Sequence, residues 1–125
     1  MSKEIVNVDR GLSATPLSAV VKANGFVFVS GTPPRDPETG KIVVADIQRQ
    51  TELVLDAVKR RLEAAGSSLE KVVKCTVYIT NSGYFDLVNE VYARYFRVDP
   101  PARTFVVVGS WPWTFDIEID CIAVA

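Results

Sequence analysis

Arg103 stands at the mouth of an apolar run that reads Pro100-Pro101-Ala102-Arg103-Thr104-Phe105-Val106-Val107-Val108-Gly109. A guanidinium stays charged at every relevant pH and presents its donors in a rigid planar fork. Beside a hydrophobic strand it needs an anion. Two anions fit: a carboxylate of the chain, in a structural ion pair at a strand end, or the carboxylate of a ligand. A bidentate, charge-assisted pair is worth roughly 1.5–3 kcal/mol and fixes orientation. Further on, Asp116, Glu118 and Asp120 alternate with Ile117, Ile119 and Cys121. Period-2 alternation puts these carboxylates on one strand face. A solvated face reads that way. So does a cleft in which Glu118 positions a water as general base, a task that needs only reach and a suitable pKa.

Two further groups stand out. In Ser30-Gly31-Thr32-Pro33-Pro34 a strand ends at Ser-Gly, where a glycine lets a ligand approach the backbone; turn punctuation accounts for it equally simply. Phe105, Trp111, Trp113 and Phe115 form an aromatic set around the loop Trp111-Pro112-Trp113. Tryptophans in a loop suit an interface or a pocket rim.

Absences narrow the chemistry. The chain has no histidine, which excludes Ser-His-Asp and Cys-His devices and histidine-ligated metals. Cys75 and Cys121 cannot form a CxxC pair, and no GxGxxG or GxxxxGK[ST] occurs. No cofactor and no metal are expected. Both cysteines sit in apolar segments and read as buried, reduced thiols.

With 125 residues, 48% hydrophobic and 23% charged, the chain reads as one globular domain over 1–125. A formal charge of −1 with acids and bases interspersed gives no basic patch, so no nucleic-acid partner is expected. The start, Met1-Ser2-Lys3-Glu4, lacks an apolar signal core, and no segment approaches a membrane span. A cytoplasmic protein without a membrane partner is the expectation.

The elements that must position these residues are legible. Ser18–Lys22 and Phe26–Ser30 are β-prone and flank Asn24-Gly25, a hairpin signal. Asp36-Pro37-Glu38-Thr39-Gly40 is turn chemistry. Asp46 is an N-cap for a helix whose buried stripe runs through Ile47, Thr51, Val54, Leu55, Val58, Leu62 and Ala65, with Gly66 closing it. From Val72 to Thr80 the residues alternate, with Val73, Cys75, Val77 and Ile79 expected under the helices. A second helix runs to about Phe96. A strand follows Arg103, and a last strand spans Phe115 to Val124. The order is β-β-α-β-α-β-β, an α+β domain with two helices on one face of a mixed sheet. Thr76, Tyr78, Phe105 and Val107 are expected on the outer face. An uncharged, uncovered sheet face is often covered by another subunit.

Several stretches carry a resemblance: Phe28-Val29-Ser30-Gly31, Asp36-Pro37-Glu38-Thr39-Gly40, Leu62-Glu63-Ala64-Ala65-Gly66-Ser67-Ser68-Leu69, Val88-Asn89-Glu90-Val91-Tyr92, Pro101-Ala102-Arg103 and Ile117-Glu118-Ile119-Asp120. In this order they resemble the Rid family, the YjgF-type reactive-intermediate deaminases, from about Pro16 to Val124. The resemblance implies a chorismate-mutase-like fold with a six-stranded type of sheet. It also implies a homotrimer with the open sheet faces inside and clefts between subunits. The implied activity is cofactor-independent hydrolysis of reactive enamine or imine intermediates to a 2-oxo acid and ammonia. Arg103 matches the arginine that grips the substrate carboxylate, and Glu118 the acid that holds the attacking water. Ser30, Gly31 and Asn89 match residues lining the cleft.

Three departures bear on the substrate. Leu17 stands where the family usually has tyrosine, Phe105 where it often has cysteine, and Trp111 and Trp113 where smaller or basic residues are usual. They imply a bulkier, more apolar substrate such as an amino-dienoate of the aminomuconate kind, or a carboxylate-binding or protein-protecting homologue with little catalysis. The tryptophans also suit a contact in a larger assembly.

Overall fold

Asn24 and Gly25 both take positive φ, 52° and 81°, as a two-residue hairpin turn with the right twist requires. They join β2 (Val20–Ala23) to β3 (Phe26–Thr32), with Ala23 opposite Phe26. The computed structural model describes residues 2–9 and 15–125. Met1 and positions 10–14, which belong to the expected domain and, for Met1, to the expected N-terminal reading, lie outside the described residues.

β1 (Glu4–Val6) pairs antiparallel with β2 and was not anticipated, because three residues are too few for an alternation to register. After β3 the Asp36 carboxylate accepts from the Glu38 and Thr39 amides, and Gly40 closes the turn with φ 74°. α1 (Ile47–Ala64) starts at Asp46, whose carboxylate accepts from the Arg49 amide at 2.8 Å. Gly66, at φ 81°, turns the chain away just after the C-cap Ala65. The expected apolar stripe is buried, and two polar side chains, Gln50 and Arg61, are buried with it.

β4 (Val72–Ile79), α2 (Phe85–Tyr95), β5 (Ala102–Val107) and β6 (Ile117–Val124) complete the fold. The sheet order is β1-β2-β3-β6-β4-β5. β4 and β5 are parallel and every other pair is antiparallel, so the sheet is mixed. Both helices pack on one face, over Val27, Val29, Cys75, Val77, Ile119 and Cys121. The other face, which carries Phe28, Ile122, Tyr78 and Glu118, is covered by no helix among the described residues.

Two sequence expectations about faces are corrected. Val73 is exposed, because a bulge between Val72 and Lys74 places Val72 under the helices instead. Phe105 and Val107 do not lie on the open face. β5 runs in register with β4, Cys75 beside Arg103, Val77 beside Phe105 and Ile79 beside Val107. The odd-numbered residues of β5 therefore turn toward α2, and Thr104 and Val106 join Thr76 and Tyr78 on the open side.

Candidate functional site on the two faces of the sheet

The ladder between β3 and β6 shifts register between Val29 and Thr32. Ser30 and Gly31 sit in this irregularity. The Ser30 hydroxyl donates to the Ser18 carbonyl at 2.6 Å, tying β3 to the segment before β2. Gly31 faces Glu118 at point-blank range: a Cβ built there would overlap Glu118 Oε1 and lie 2.9 Å from its Cδ. Glycine is what lets the carboxyl settle against the backbone.

Glu118 is half-buried and makes no side-chain hydrogen bond or ion pair among the described residues. Burial raises its pKa above the ordinary glutamate value, and the neighbouring Asp120 carboxylate raises it further; Arg61 and Arg35 pull the other way. Leu17, Ser30, Gly31 and Glu118 all line one cavity of about 270 Å³. Trp113 and Phe115 form its apolar wall, and Arg35 and Arg61 its cationic side.

The other two carboxylates of the alternating trio are occupied. Asp120 accepts from the Tyr78 hydroxyl at 2.9 Å on the open face. Asp116 precedes β6 and does not share that face in function. It accepts from the Thr80 hydroxyl at 2.9 Å and from Gln50 Nε2 at 3.0 Å, while its own amide donates to Gln50 Oε1 at 2.8 Å. The buried glutamine thereby ties the start of β6 to α1.

Arg103 lies on the opposite, helix-covered face, near the sheet edge. Its Nη1 donates to Asn89 Oδ1 of α2 at 2.7 Å. The guanidinium carbon is 4.8 Å from the Tyr92 ring centroid and 5.0 Å from that of Phe105. Cation–π contact of this kind holds the fork in place while leaving its charge uncompensated. No carboxylate pairs with Arg103 among the described residues, so the structural ion pair open to it in sequence is absent. Phe105 packs edge-on against Phe85, with centroids 4.8 Å apart.

The seven candidate residues thus fall into two sets. Leu17, Ser30, Gly31 and Glu118 share the cavity, while Arg103, Asn89 and Phe105 cluster behind β4 on the other face. The aromatic set divides likewise. Trp111 donates its indole N–H to the Phe115 carbonyl at 2.8 Å, and Trp113 stacks on the Phe115 ring at 5.8 Å. Phe105 is apart from both. The thiols are inert: burial pushes Cys75 up to about 11 and raises Cys121 as well. Among the described residues, no group of His, Cys, Asp and Glu side chains could hold a metal ion, and no helix is long and apolar enough to cross a membrane.

Two charged residues of the cavity, Arg61 and Arg35, are not among the candidates the sequence offers. Arg61 is 2% exposed. Its Nε pairs with the Asp9 carboxylate, and its Nη1 donates to Thr32 Oγ1 at 3.0 Å. The signal was its position, three residues after Val58 and seven after Val54, on the buried stripe of α1. Arg35 carried no such signal, because only the fold brings the residue before the Asp36 turn beside Glu118.

The chain is similar in sequence and fold to known proteins. The family model for Endoribonuclease L-PSP matches residues 9–125. The RutC family protein of Pyrococcus abyssi is 43% identical over 124 residues, 98% of this chain and 98% of that protein. The chloroplastic Reactive Intermediate Deaminase A of Arabidopsis thaliana is 40% identical over 124 residues, 98% of this chain and 66% of that protein. A crystal structure of a putative endoribonuclease from Thermotoga maritima is 47% identical. It matches with a TM-score of 0.91, over 100% of this chain and 98% of that one.

Proposed function

The chain belongs to the Endoribonuclease L-PSP family, which takes in the Rid and YjgF proteins, and from that premise we propose that it hydrolyses reactive 2-imino acids and their enamine tautomers to 2-oxo acids and ammonia. The observation that carries this reading is a pair of vacancies. Arg103 and Glu118, a carboxylate grip and a candidate base, are both left without an ion-pair partner among the described residues. An imine carbon is already electrophilic, so the protein need only orient the carboxylate, exclude bulk water and place one water molecule.

In the proposed reaction Arg103 forks the α-carboxylate. A water held by Glu118 adds its oxygen to the imine carbon, and the C=N π electrons move to nitrogen. Glu118 takes a proton from that water and returns it to nitrogen. Glu118 then carries the proton of the new hydroxyl to the same nitrogen as the C–N bond breaks, so that ammonia leaves and the oxygen electrons close the carbonyl. General base help of this kind is worth about 10²–10⁴-fold. A carboxyl with a raised pKa is suited to take a proton and give it back.

One chain cannot bring both groups to one substrate, because the sheet lies between them. The proposal therefore includes a homotrimer in which the open faces meet and Glu118 of one copy faces Arg103 of a second. The apolar exposure of Phe26 and Phe28 on the open face, 38% and 41%, supports burial there. The family's description names an endoribonuclease; the absence of histidine and the net charge of −1 favour the small-molecule reading. Leu17 brings no hydroxyl to the cavity, which favours a second reading: binding of a carboxylate metabolite without turnover.

The test generates 2-imino acids in situ with an amino-acid oxidase and follows release of 2-oxo acid. Acceleration over background is expected. Arg103→Ala should cost about tenfold to a hundredfold in kcat/KM, the worth of a charge-assisted pair. Glu118→Gln should remove most of the acceleration. No acceleration with any 2-imino acid, together with carboxylate binding by calorimetry, would establish the second reading instead.

A further inference from the structure

Arg35 is the charge in the Glu118 cavity that the proposed reaction leaves unused. It lines that cavity together with Arg61. The two arginines are not alike. Arg61 is neutralised by Asp9 and bonded to Thr32. Arg35 pairs with no carboxylate among the described residues. Its neighbour Asp36 is spoken for, since that carboxylate accepts from the Glu38 and Thr39 amides of its own turn. One Arg35 nitrogen, Nη1, donates to the Gly40 carbonyl at 2.7 Å. Its Nε is buried with no acceptor among the described residues.

A buried donor without an acceptor is costly, and Arg35, half-buried as a whole, keeps a charge that no carboxylate of the described residues offsets. Such a group beside a catalytic carboxyl is stable when something else supplies the anion. Glu118 cannot be that anion for good, because the reaction has it carry a proton for part of each cycle. The cavity is also large for its task. A volume of about 270 Å³ holds more than a two- or three-carbon imine, and Leu17 at its edge takes up no hydrogen bond. Trp113 and Phe115, stacked with centroids 5.8 Å apart, line the same cavity as an apolar surface.

We propose that the site is built for substrates with a second carboxylate, 2-imino dicarboxylates whose distal carboxylate pairs with Arg35 while their methylenes run along the Trp113–Phe115 wall. Arg103 then holds the α-carboxylate and Arg35 sets specificity. Which end of the molecule reacts rests on the deaminase reading. The affinity for the distal carboxylate does not, so binding can be tested without turnover.

The probes are 2-oxoglutarate and 2-oxopentanoate, which share a five-carbon chain and differ by a terminal carboxylate in place of a methyl. Both resemble reaction products and can be titrated by calorimetry into the whole protein. 2-Oxoglutarate should bind at least about tenfold more tightly, as a charge-assisted pair implies. In Arg35→Met the ratio should fall to near one, because the dicarboxylate loses more than the monocarboxylate. Arg35→Lys should keep part of the preference, since the charge remains and the fork does not. Equal affinities in the parent protein, binding of neither acid, or an undiminished ratio in Arg35→Met would overturn the proposal. So would an equal loss on both acids. If Arg35→Met does not fold, the parent ratio and Arg35→Lys decide. The imines of glutamate and norvaline, made by an oxidase, are assayed in parallel. Preference without turnover sinks the deaminase reading and leaves the dicarboxylate site standing; turnover without preference does the reverse.

Discussion

Gly31 and Glu118 fill one another's space: the glutamate carboxyl occupies the volume that any side chain at position 31 would need. The glycine has ordinary backbone geometry, so its role is room and not conformational freedom. Gly31→Ala must push the carboxyl off its seat or open the β3–β6 ladder. Displacements of about 1 Å at a reacting centre cost about a hundredfold. Imine hydrolysis should fall by that order, and the circular-dichroism spectrum should keep its native shape.

The raised pKa of Glu118 has two consequences of fixed sign. As a base, Glu118 works ionised, so kcat/KM should fall as pH falls through its raised value. For stability, the folded state binds this proton more tightly than the unfolded chain. Below the ordinary value of 4.5 both states are protonated and the group is neutral. As pH rises past that value the unfolded chain ionises first, and stability is lost until the folded group ionises too. Glu118→Gln should therefore melt above the parent at pH 7 while losing activity, with the gain in Tm fading toward pH 4.5. Thermal melts across that range check it.

Arg61 and Asp9 are a buried pair joining α1 to the segment after β1. Removing Asp9 strands the buried Arg61, which costs about 3–5 kcal/mol for a buried pair, whereas loss of Arg61 leaves Asp9 its second partner, Arg60 at 3.5 Å. Asp9→Asn should lower the denaturant midpoint accordingly. Arg61→Met in the same chain should recover part of the loss, and the double-mutant cycle measures the coupling.

Most of the frame could be read in the sequence because each signal was local. Asn24-Gly25 dictates its turn, Asp46 its cap, and the stripe from Ile47 to Ala65 its buried face. The failures were those of register. Val73 follows the alternation, yet a bulge inverts it. Nothing in β5 alone says which way Phe105 and Arg103 turn; pairing of Arg103 with Cys75 decides that. Alternation alone does not show that Asp116 and Asp120 are occupied while Glu118 is not, because their partners, Gln50, Thr80 and Tyr78, come from other elements. Arg35 belonged to no pattern, since its neighbour Glu118 is 83 positions along the chain.

The placement of Arg103 and Glu118 on opposite faces has a genetic meaning. If every cleft draws one of them from each of two copies, a lesion in either is complemented by a lesion in the other. Arg103→Ala and Glu118→Gln chains, each impaired alone, should regain activity when unfolded and reassembled together. Random mixing leaves about a quarter of the clefts with both groups intact. A cell carrying both alleles would then outperform a cell carrying either.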